Sequence, residues 1–352
     1  MEQVVQFTAP GQVELVECEQ PPLPPGHARI ATLYSGISAG TELTAYRGTN
    51  PYLTKRWEST SRLFVKGEAS FGYPILGWGY EQVGRVTEIA TGSQADTALR
   101  VGDVVWGIWG HRSTGVVELA ALAGHRMPPG LDPLAGVFVR PGAIALNAVL
   151  DAALHLTEYV VIFGQGVLGL LATRLAVLAG ARVIAVDPIA NRRELALRFG
   201  ARHTVDPGAE QVADRVREIT GHGADVAIEF SGSYAALHQA TRAVAPGGRV
   251  AAAGFYQGEG QGLWLGEEFH HNRVELVASQ ISTVAARLAP RWDRERLHLA
   301  FAELLADGTV DPLPLVTHRL PAAEVAAAFG VLDQRPAEAL QTVLVFGGEE
   351  DP

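Results

Sequence analysis

Cysteine is nearly absent from this chain: Cys18 is the only one in 352 residues. A single thiol excludes an intramolecular disulfide framework and any zinc or iron–sulfur site built from several thiolates. Basic residues are also in the minority, because 28 Lys and Arg face 38 Asp and Glu and leave a formal net charge of −10. The chain as a whole therefore lacks the phosphate-neutralising surface of a nucleic-acid binder, and we expect no nucleic-acid partner.

Long uninterrupted hydrophobic runs are missing too. The longest apolar tract, Val160 to Val186, is broken by Arg174, Arg182 and several glycines. It predicts strand, turn, helix and strand rather than a membrane span. The N-terminus carries acids instead of a basic region followed by an apolar core, so no signal peptide is expected. These absences predict a cytoplasmic protein with no membrane partner.

The length of 352 residues favours two domains, because a single core rarely grows beyond about 300 residues. Residues 1–147 hold short β-rich runs separated by Gly and Pro, which predict an irregular, mostly β domain. Residues 148–279 alternate apolar strands with helices, which is typical of a doubly wound parallel sheet. Residues 280–352 are too short for a domain and are predicted to complete the first one.

One glycine-rich motif carries the cofactor prediction. It follows the strand-like Tyr159 to Phe163, opens a helix, and consists of Gly164, Gln165, Gly166, Val167, Leu168 and Gly169. Gly164 permits a tight turn, Gly166 lets the backbone approach a pyrophosphate, and Gly169 allows close helix–strand packing. The helix N-terminus then offers free N–H groups and its positive dipole end to the phosphates. The motif predicts a Rossmann dinucleotide site.

The next predicted strand ends at Asp187, near the offset of about 20 residues expected for a ribose-binding acid. A carboxylate there accepts a hydrogen bond from the ribose 2′-OH and repels a 2′-phosphate, which favours NAD. Arg192 and Arg193 lie just downstream and keep NADP open as an alternative, because they can hold a 2′-phosphate. Ser231 and Gly254, which follow later predicted strands, complete the cofactor candidates.

Three further motifs extend over the first 105 residues: Gly36 to Glu42 (GISAGTE), Gly79 to Val86 (GYEQVGRV) and Gly102 to Val105 (GDVV). With the glycine turn and Asp187, they make the chain resemble the medium-chain dehydrogenase/reductase superfamily. The first two motifs look especially like its bacteriochlorophyllide hydroxyethyl dehydrogenase-like subgroup. The resemblance implies an α/β fold in which a GroES-like, mostly β catalytic domain contains an inserted Rossmann domain. It also implies a homodimer or homotetramer.

Zinc-dependent members of the superfamily that this chain resembles have zinc ligands at positions where this sequence has other residues. At the three places where zinc-dependent members carry Cys, His and Cys or an acid, this chain holds Ser38, Tyr80 and Ile144. Those side chains cannot build a tetrahedral zinc site, so we expect no metal. The cysteines of the structural zinc lobe are absent as well. A different metal site remains an alternative, with these candidate ligands: Glu81, His111, His125, His270 and His271.

Without zinc, a hydroxyl relay must manage the proton of the reacting alcohol. Tyr80 is expected to donate or accept that proton, assisted by Ser38 and Thr41. Glu81 matches the family's glutamate beside the metal, and Asn147 is expected near the nicotinamide, where it can orient substrate. The alternative for Tyr80 is that it fills the vacated space and hydrogen-bonds Glu81.

An insertion occupies about Gly48 to Tyr73 and is rich in aromatic and basic residues. It suits a lid over a bulky or anionic substrate, or else a surface loop or oligomer contact. Trp106, Trp109 and His111 are interpreted either as pocket lining or as core.

The leading functional prediction is reversible, NAD-dependent oxidation of a secondary alcohol on a small, ring-like or sugar-like molecule. The second is zinc-free, NAD(P)H-dependent reduction of activated C=C bonds, as in quinone and enoyl reductases. The third is a nucleotide-sensing protein that kept the fold and lost catalysis. A preference for NAD or for NADPH distinguishes the first two functions. Turnover of a substrate distinguishes both of them from the third.

Overall fold

This computed structural model describes residues 1–90 and 99–347. The predicted domain that contains residues 91–98 and ends at residue 352 therefore lies partly outside the described residues. The chain divides into two compact units, of which unit 1 comprises residues 1–140 and 305–352 and unit 2 comprises residues 141–304. Both are described below in chain order.

Unit 1 begins with short strands and one short helix. Their bounds are β1 Glu2–Ala9, β2 Gln12–Cys18, β3 His27–Ile37, α1 Glu42–Arg47, β4 Lys55–Glu58, β5 Leu63–Lys66, β6 Ile75–Leu76, β7 Glu81–Ile89, β8 Val104–Gly107 and β9 Thr114–Glu118. Buried and less buried side chains alternate along β3, as expected for a strand with one face on a core. Residues 101 and 102 form a turn, so β8 begins only at Val104.

Unit 2 alternates helices and strands, as the sequence predicted. Their bounds are α2 Val139–Ala152, β10 Tyr159–Phe163, α3 Val167–Leu178, β11 Arg182–Val186, α4 Ala190–Arg198, β12 His203–Val205, α5 Val212–Thr220, β13 Ala224–Glu229, α6 Tyr234–Ala243, β14 Val244–Ala252, α7 Glu268–His271, β15 Glu275–Ala278 and α8 Arg294–Ala306. The strands form a parallel sheet in the order β12-β11-β10-β13-β14-β15. This strand order is that of a doubly wound Rossmann sheet, so the predicted fold class is confirmed.

The chain then returns to unit 1 with β16 (Val316–Pro321), α9 (Val325–Gln334) and β17 (Gln341–Val345). The last strand lies between β16 and β3, in the sheet order β16-β17-β3-β7-β8. Thus β17 pairs with the start of the GISAGTE segment, because Gly36 and Ile37 are the last two residues of β3.

The two units divide the chain at different positions from the predicted breaks at 147/148 and 279/280. Most of α2 and all but the end of α8 belong to unit 2. Gly142 shows why they stay together, because a Cβ there would lie 2.1 Å from the Phe301 ring. A glycine in α2 is thus needed for its close approach to α8.

One helical segment, Pro133–Ala152, is long and apolar enough to cross a membrane by length and composition. Its most apolar window is 72% buried inside the protein, as in the core helix of a folded domain. His270 and His271, two of the alternative metal-ligand candidates, are the last two residues of α7.

Candidate active site

The glycine turn of unit 2 has the geometry that the sequence predicted. Gly164 has a positive φ of 81°, and a Cβ on Gly169 would lie 1.8 Å from the Gly164 carbonyl oxygen. The turn and the start of α3 therefore pack too closely for any side chain at Gly169. A Cβ on Gly166, by contrast, would meet nothing nearer than 4.0 Å. Gly166 precedes the first residues of α3, Val167 and Leu168, so the backbone there is accessible and its N–H groups are free for an anion.

Gln165 serves the turn rather than offering its side chain outward. The residue is fully buried. Its Nε2 donates to the carbonyl of Ile162 at 3.0 Å, and its Oε1 accepts from the Thr173 hydroxyl at 2.9 Å. Its backbone N–H donates to Asp187 Oδ2 at 2.7 Å. The contribution of Gln165 is thus to lock the loop shape.

Asp187 follows β11 and is almost completely buried. Besides the bond from Gln165, its Oδ1 accepts from the Ile189 N–H at 2.8 Å. Each carboxylate oxygen has a second lone pair, so Asp187 can still accept from a ribose hydroxyl. Arg192 Nη1 lies 4.0 Å from Asp187 Oδ2, and burial lowers the pKa of this arginine. Arg193 is committed elsewhere, to the Asp187 carbonyl at 2.8 Å and to Asp206 at 3.0 Å.

Ser231 and Gly254 lie at the same edge of the sheet, beside a residue that the sequence analysis missed. Glu229, the last residue of β13, is fully buried. Its carboxylate accepts from the backbone N–H and hydroxyl of Ser231, from Gly232 N at 3.1 Å and from the Tyr256 hydroxyl. A Cβ on Gly254 would lie 2.7 Å from the same carboxylate. Burial raises the pKa of Glu229, and these four donors oppose that rise.

Unit 1 brings Ser38, Thr41 and Tyr80 together. The Tyr80 hydroxyl is hydrogen-bonded to the Ser38 hydroxyl, and the Thr41 side chain also bonds to it. Burial, followed by the charges of Glu81 and Glu42, raises the pKa of Tyr80 above its usual value of 10. The ring is nevertheless only half-buried. Tyr80 therefore presents a neutral hydroxyl that is hydrogen-bonded to Ser38.

Glu81 lies beside this group, fully within unit 1. Its Oε2 accepts from Gln341 Nε2 at 3.1 Å, so a residue of β17 fixes it. A Cβ on Gly36 would lie 2.5 Å from the same oxygen, which explains the glycine that precedes Ile37. Burial and the charge of Glu42 hold the pKa of Glu81 well above its usual value. The alternative contact, Tyr80 with Glu81, is not the hydrogen bond that forms.

Glu42 and His111 form a second buried acid–base pair, and both side chains have zero exposure. His111 Nε2 lies 2.7 Å from Glu42 Oε2, and its Nδ1 lies 2.6 Å from the Ser35 hydroxyl. His111 was considered as a metal ligand or pocket residue, whereas the structure buries it in a hydrogen-bonded network. Trp109 is also buried and donates to Thr32 at 2.9 Å.

Asn147 belongs to unit 2 and is buried. Its Nδ2 donates to Asp151 at 3.1 Å and to the Ser279 hydroxyl at 3.3 Å. Its Oδ1 has no hydrogen-bond partner among the described residues, so this amide keeps acceptor capacity. Burial raises the pKa of Asp151.

The two hydroxyl groups at the positions of the family's zinc ligands do not suit a zinc ion. Ser38 and Tyr80 present two neutral hydroxyl groups bonded to each other, whereas zinc sites use thiolate, imidazole and carboxylate. Ile144 has no donor atom. Within residues 1–90 and 99–347, the only group of three possible ligands is His238, Glu267 and Glu268 in unit 2, and it shares no residue with the candidates from the sequence.

The insertion at 48–73 contains the β4–β5 hairpin. Trp57 and Phe64 lie opposite each other with ring centroids 5.0 Å apart, and both rings are partly exposed. A row of aromatic contacts then runs through Tyr52 and Phe71 to Trp78. The hairpin surface is therefore connected by packed rings to Trp78, in the segment between β6 and β7 that also contains Tyr80.

Comparisons with known proteins identify sequence relatives of this chain. The family model described as "Zinc-binding dehydrogenase" matches residues 167–290. D-guloside 3-dehydrogenase of Escherichia coli (strain K12) is 31% identical over 347 residues, covering 96% of this chain and 98% of the relative.

Solved structures show the same fold. The structure of 2R,3R-butanediol dehydrogenase from Bacillus subtilis has a TM-score of 0.79 at 21% identity, and the match covers 99% of this chain and 100% of the other. An alcohol dehydrogenase of E. coli CFT073, complexed with NADH, has a TM-score of 0.77 at 18% identity, with 98% and 99% covered. Together with the glycine turn of unit 2, these likenesses identify the chain as a member of the zinc-binding, medium-chain alcohol dehydrogenase-like family of oxidoreductases.

Proposed function

We propose that this protein is a zinc-independent, NAD(H)-dependent oxidoreductase that interconverts a secondary alcohol and a ketone. The observation that carries the proposal is the hydroxyl pair of Ser38 and Tyr80, which stands where zinc-dependent relatives hold two metal ligands. This arrangement supports a relay in place of a Lewis acid.

The cofactor preference is argued from Asp187. Its carboxylate is fixed by two backbone N–H groups at the end of β11, so it is held ready for a ribose hydroxyl. The nearby Arg192 weakens this preference, because a guanidinium can pair with a 2′-phosphate. We favour NAD, since the carboxylate of Asp187 accepts from a ribose hydroxyl but offers no donor to a 2′-phosphate. When bound, NAD supplies the acceptor for the hydride.

The residues of unit 1 manage the proton. In ketone reduction, neutral Tyr80 donates its proton to the substrate oxygen, and its raised pKa keeps it protonated at neutral pH. In alcohol oxidation, the substrate proton moves to Tyr80 while Tyr80 passes its own proton to a neighbouring hydroxyl. Ser38 and Thr41 are the hydroxyls bonded to it. Glu81 is the proposed supporting residue beside Tyr80, held by Gln341, and Asn147 is the proposed substrate-orienting amide of unit 2.

We assign the substrate to the class of sugar-ring secondary alcohols. The E. coli relative is named for oxidation of a guloside at carbon 3. The insertion supports a bulky substrate, because the rings of Trp57 and Phe64 offer flat apolar surface to a sugar or to the group attached to it. Arg56 is paired with Glu58 and Glu68, so the argument for a bulky substrate rests on the two rings rather than on this guanidinium.

A reductase of activated C=C bonds is the second candidate, and Arg192 is the observation that favours it. The quinone and enoyl reductases of the superfamily that this chain resembles use NADPH. Tighter binding of NADPH than of NADH would therefore select this function.

We further propose a cytoplasmic homodimer or homotetramer. β15 is an edge strand of the parallel sheet, and edge strands can pair with a second copy.

The test combines a metal assay with a substrate panel. Purified protein is analysed for zinc, titrated with NADH and NADPH, and then assayed for NAD reduction with glycosides, polyols and simple secondary alcohols. We expect metal-free protein to oxidise a glycoside with NAD. Turnover only of enones with NADPH would select the reductase, and cofactor binding with no turnover would favour a sensing protein.

A further inference from the structure

One histidine and two glutamates of unit 2 form a cluster of possible metal ligands. His238 lies on α6, Glu267 directly precedes α7, and Glu268 is the first residue of α7. One nitrogen or oxygen atom from each of the three lies within 4.8 Å of the other two. None of these residues belongs to the proposed cofactor site or to the proton relay. Imidazole and carboxylate groups are ligands that zinc uses in proteins.

His238 lacks the hydrogen bonds that a buried histidine normally makes. The residue is only 7% exposed, and its Nδ1 is buried with no hydrogen-bond partner among the described residues. Its Nε2 lies 3.7 Å from Glu267 Oε2, which is beyond hydrogen-bond distance. A buried polar ring without a hydrogen bond is costly unless another group satisfies it. The ring nevertheless faces a carboxylate, so an ion between the two groups would supply a partner to both.

Glu268 offers one carboxylate oxygen that no described residue uses. Its Oε1 accepts from Arg242 Nε at 3.0 Å, whereas its Oε2 is buried and has no hydrogen-bond partner among the described residues. Arg242 is four residues after His238, so both side chains are on the same face of α6. A hydrogen bond of this kind orients a ligating carboxylate toward its ion. The two carboxylates also outweigh the single guanidinium, so the cluster attracts a cation.

We propose that His238, Glu267 and Glu268 form a zinc site that ties α6 to the start of α7. Zinc lies about 2.0–2.2 Å from nitrogen and oxygen ligands, so two ligands of a tetrahedral ion are about 3.3–3.6 Å apart. The separation of 3.7 Å between His238 Nε2 and Glu267 Oε2 is close to this value. The Glu267 side chain is 56% exposed, so it can rotate inward, and solvent can supply the fourth ligand.

The site would stabilise a long connection within unit 2. Residues 253–267 lead from β14 to α7 and contain neither helix nor strand. Zinc would fix the end of this connection to α6, and it would bind the folded state only, because the three ligands converge only there. This proposal does not depend on the dehydrogenase function. Zinc bound here should raise Tm and leave kcat unchanged.

The test titrates chelator-treated protein with zinc by isothermal calorimetry, and with Co²⁺ by tryptophan fluorescence. We expect one zinc ion per chain and a higher Tm in its presence. The Trp264 ring centroid lies 5.4 Å from that of His238, so Co²⁺ in the site should quench Trp264. Trp264→Phe should remove the part of the fluorescence that Co²⁺ quenches. Quenching that is unchanged in this variant would place the ion elsewhere and overturn the proposal.

Two ligand variants and one control locate the ion. Glu267→Gln should fold normally, because the side chain is exposed, and should raise the Kd for zinc by at least about 10-fold. His238→Gln should abolish both binding and the rise in Tm. The control replaces His270 and His271 with Gln, since both are exposed residues at the end of α7, and it should bind zinc like the parent.

Two results would overturn the proposal. The first is absence of zinc binding by the parent protein. The second is an unchanged Kd in Glu267→Gln, or loss of binding in the control, which would assign the ion to the exposed histidines. If His238→Gln does not fold, Glu267→Gln alone decides, because its unaltered Tm without metal shows that only the ligand was lost.

Discussion

Replacing Asp187 with Asn should reverse much of the preference for NADH over NADPH. The two side chains have nearly the same shape, so the change removes the charge and one acceptor with little effect on packing. Asp187 accepts from the N–H groups of Gln165 at 2.7 Å and Ile189 at 2.8 Å. An amide has only one oxygen, so its NH₂ group must face one of these two donors.

The size of the effect follows from these contacts. A hydrogen bond to a charged group is worth about 1.5–3 kcal/mol, and about 1.4 kcal/mol corresponds to a factor of ten in affinity. Loss of the carboxylate acceptor for the ribose should therefore raise the Kd for NADH by about 10- to 100-fold. The Kd for NADPH should stay within about threefold or fall, since the neutral amide of the variant would not repel a 2′-phosphate.

Fluorescence titration with both dinucleotides measures this ratio directly. Asp225→Asn is the matched control, because Asp225 Oδ2 also accepts from a backbone N–H, that of Tyr159 at 2.8 Å. Asp225 lies at the start of β13, whereas Asp187 follows the end of β11. Equal losses of NADH and NADPH affinity in Asp187→Asn, or an equal loss of NADH affinity in the control, would refute the assignment of Asp187 to the ribose.

Three further substitutions test other parts of the structure. Tyr80→Phe should lower kcat by about 10²-fold or more, measured by stopped-flow kinetics, without changing the NADH affinity measured by titration. An unchanged kcat would contradict the proton relay. Gly169→Ala should destabilise unit 2 by about 1–3 kcal/mol and weaken NADH binding, because its Cβ would lie 1.8 Å from the Gly164 carbonyl oxygen. The control Gly330→Ala should be tolerated, because there is open space around Gly330. Glu81→Gln should raise Tm at pH 8 and have little effect near pH 5, because the raised pKa of Glu81 makes folding less favourable as pH rises above its unfolded value. A Tm gain of Glu81→Gln that is largest at acid pH would show that the sign is wrong.

The sequence was sufficient to predict the parts of the fold that depend on local patterns. The glycines at 164, 166 and 169 were sufficient to predict the turn after β10. Each is needed for a local reason: the tight bend, the approach of a ligand to the backbone, and the close packing of helix and strand. The alternation of strands and helices after Tyr159 predicted the parallel sheet, since buried parallel strands have continuous apolar runs. The contact between Ser38 and Tyr80 could be expected only from the family resemblance, which placed both at zinc-ligand positions.

The buried networks could not be predicted in this way. Glu42 and His111 are 69 positions apart and meet only because β3, β7 and the loop after β8 are neighbours in one sheet system. Glu229 gave a weak signal, as an acid at the end of an apolar strand, but its partner Tyr256 is 27 positions away. The pairing of a buried charge depends on tertiary register, which hydrophobic periodicity does not encode.

The most direct test of the central claim is the rate of glycoside oxidation with NAD by protein from which all metal has been removed with a chelator, with zinc content verified in the same sample. If Tyr80 and its hydroxyl partners replace the metal, the metal-free protein should keep its full kcat, and added zinc should not increase it. Loss of activity on chelation, with recovery at one equivalent of zinc, would contradict the account.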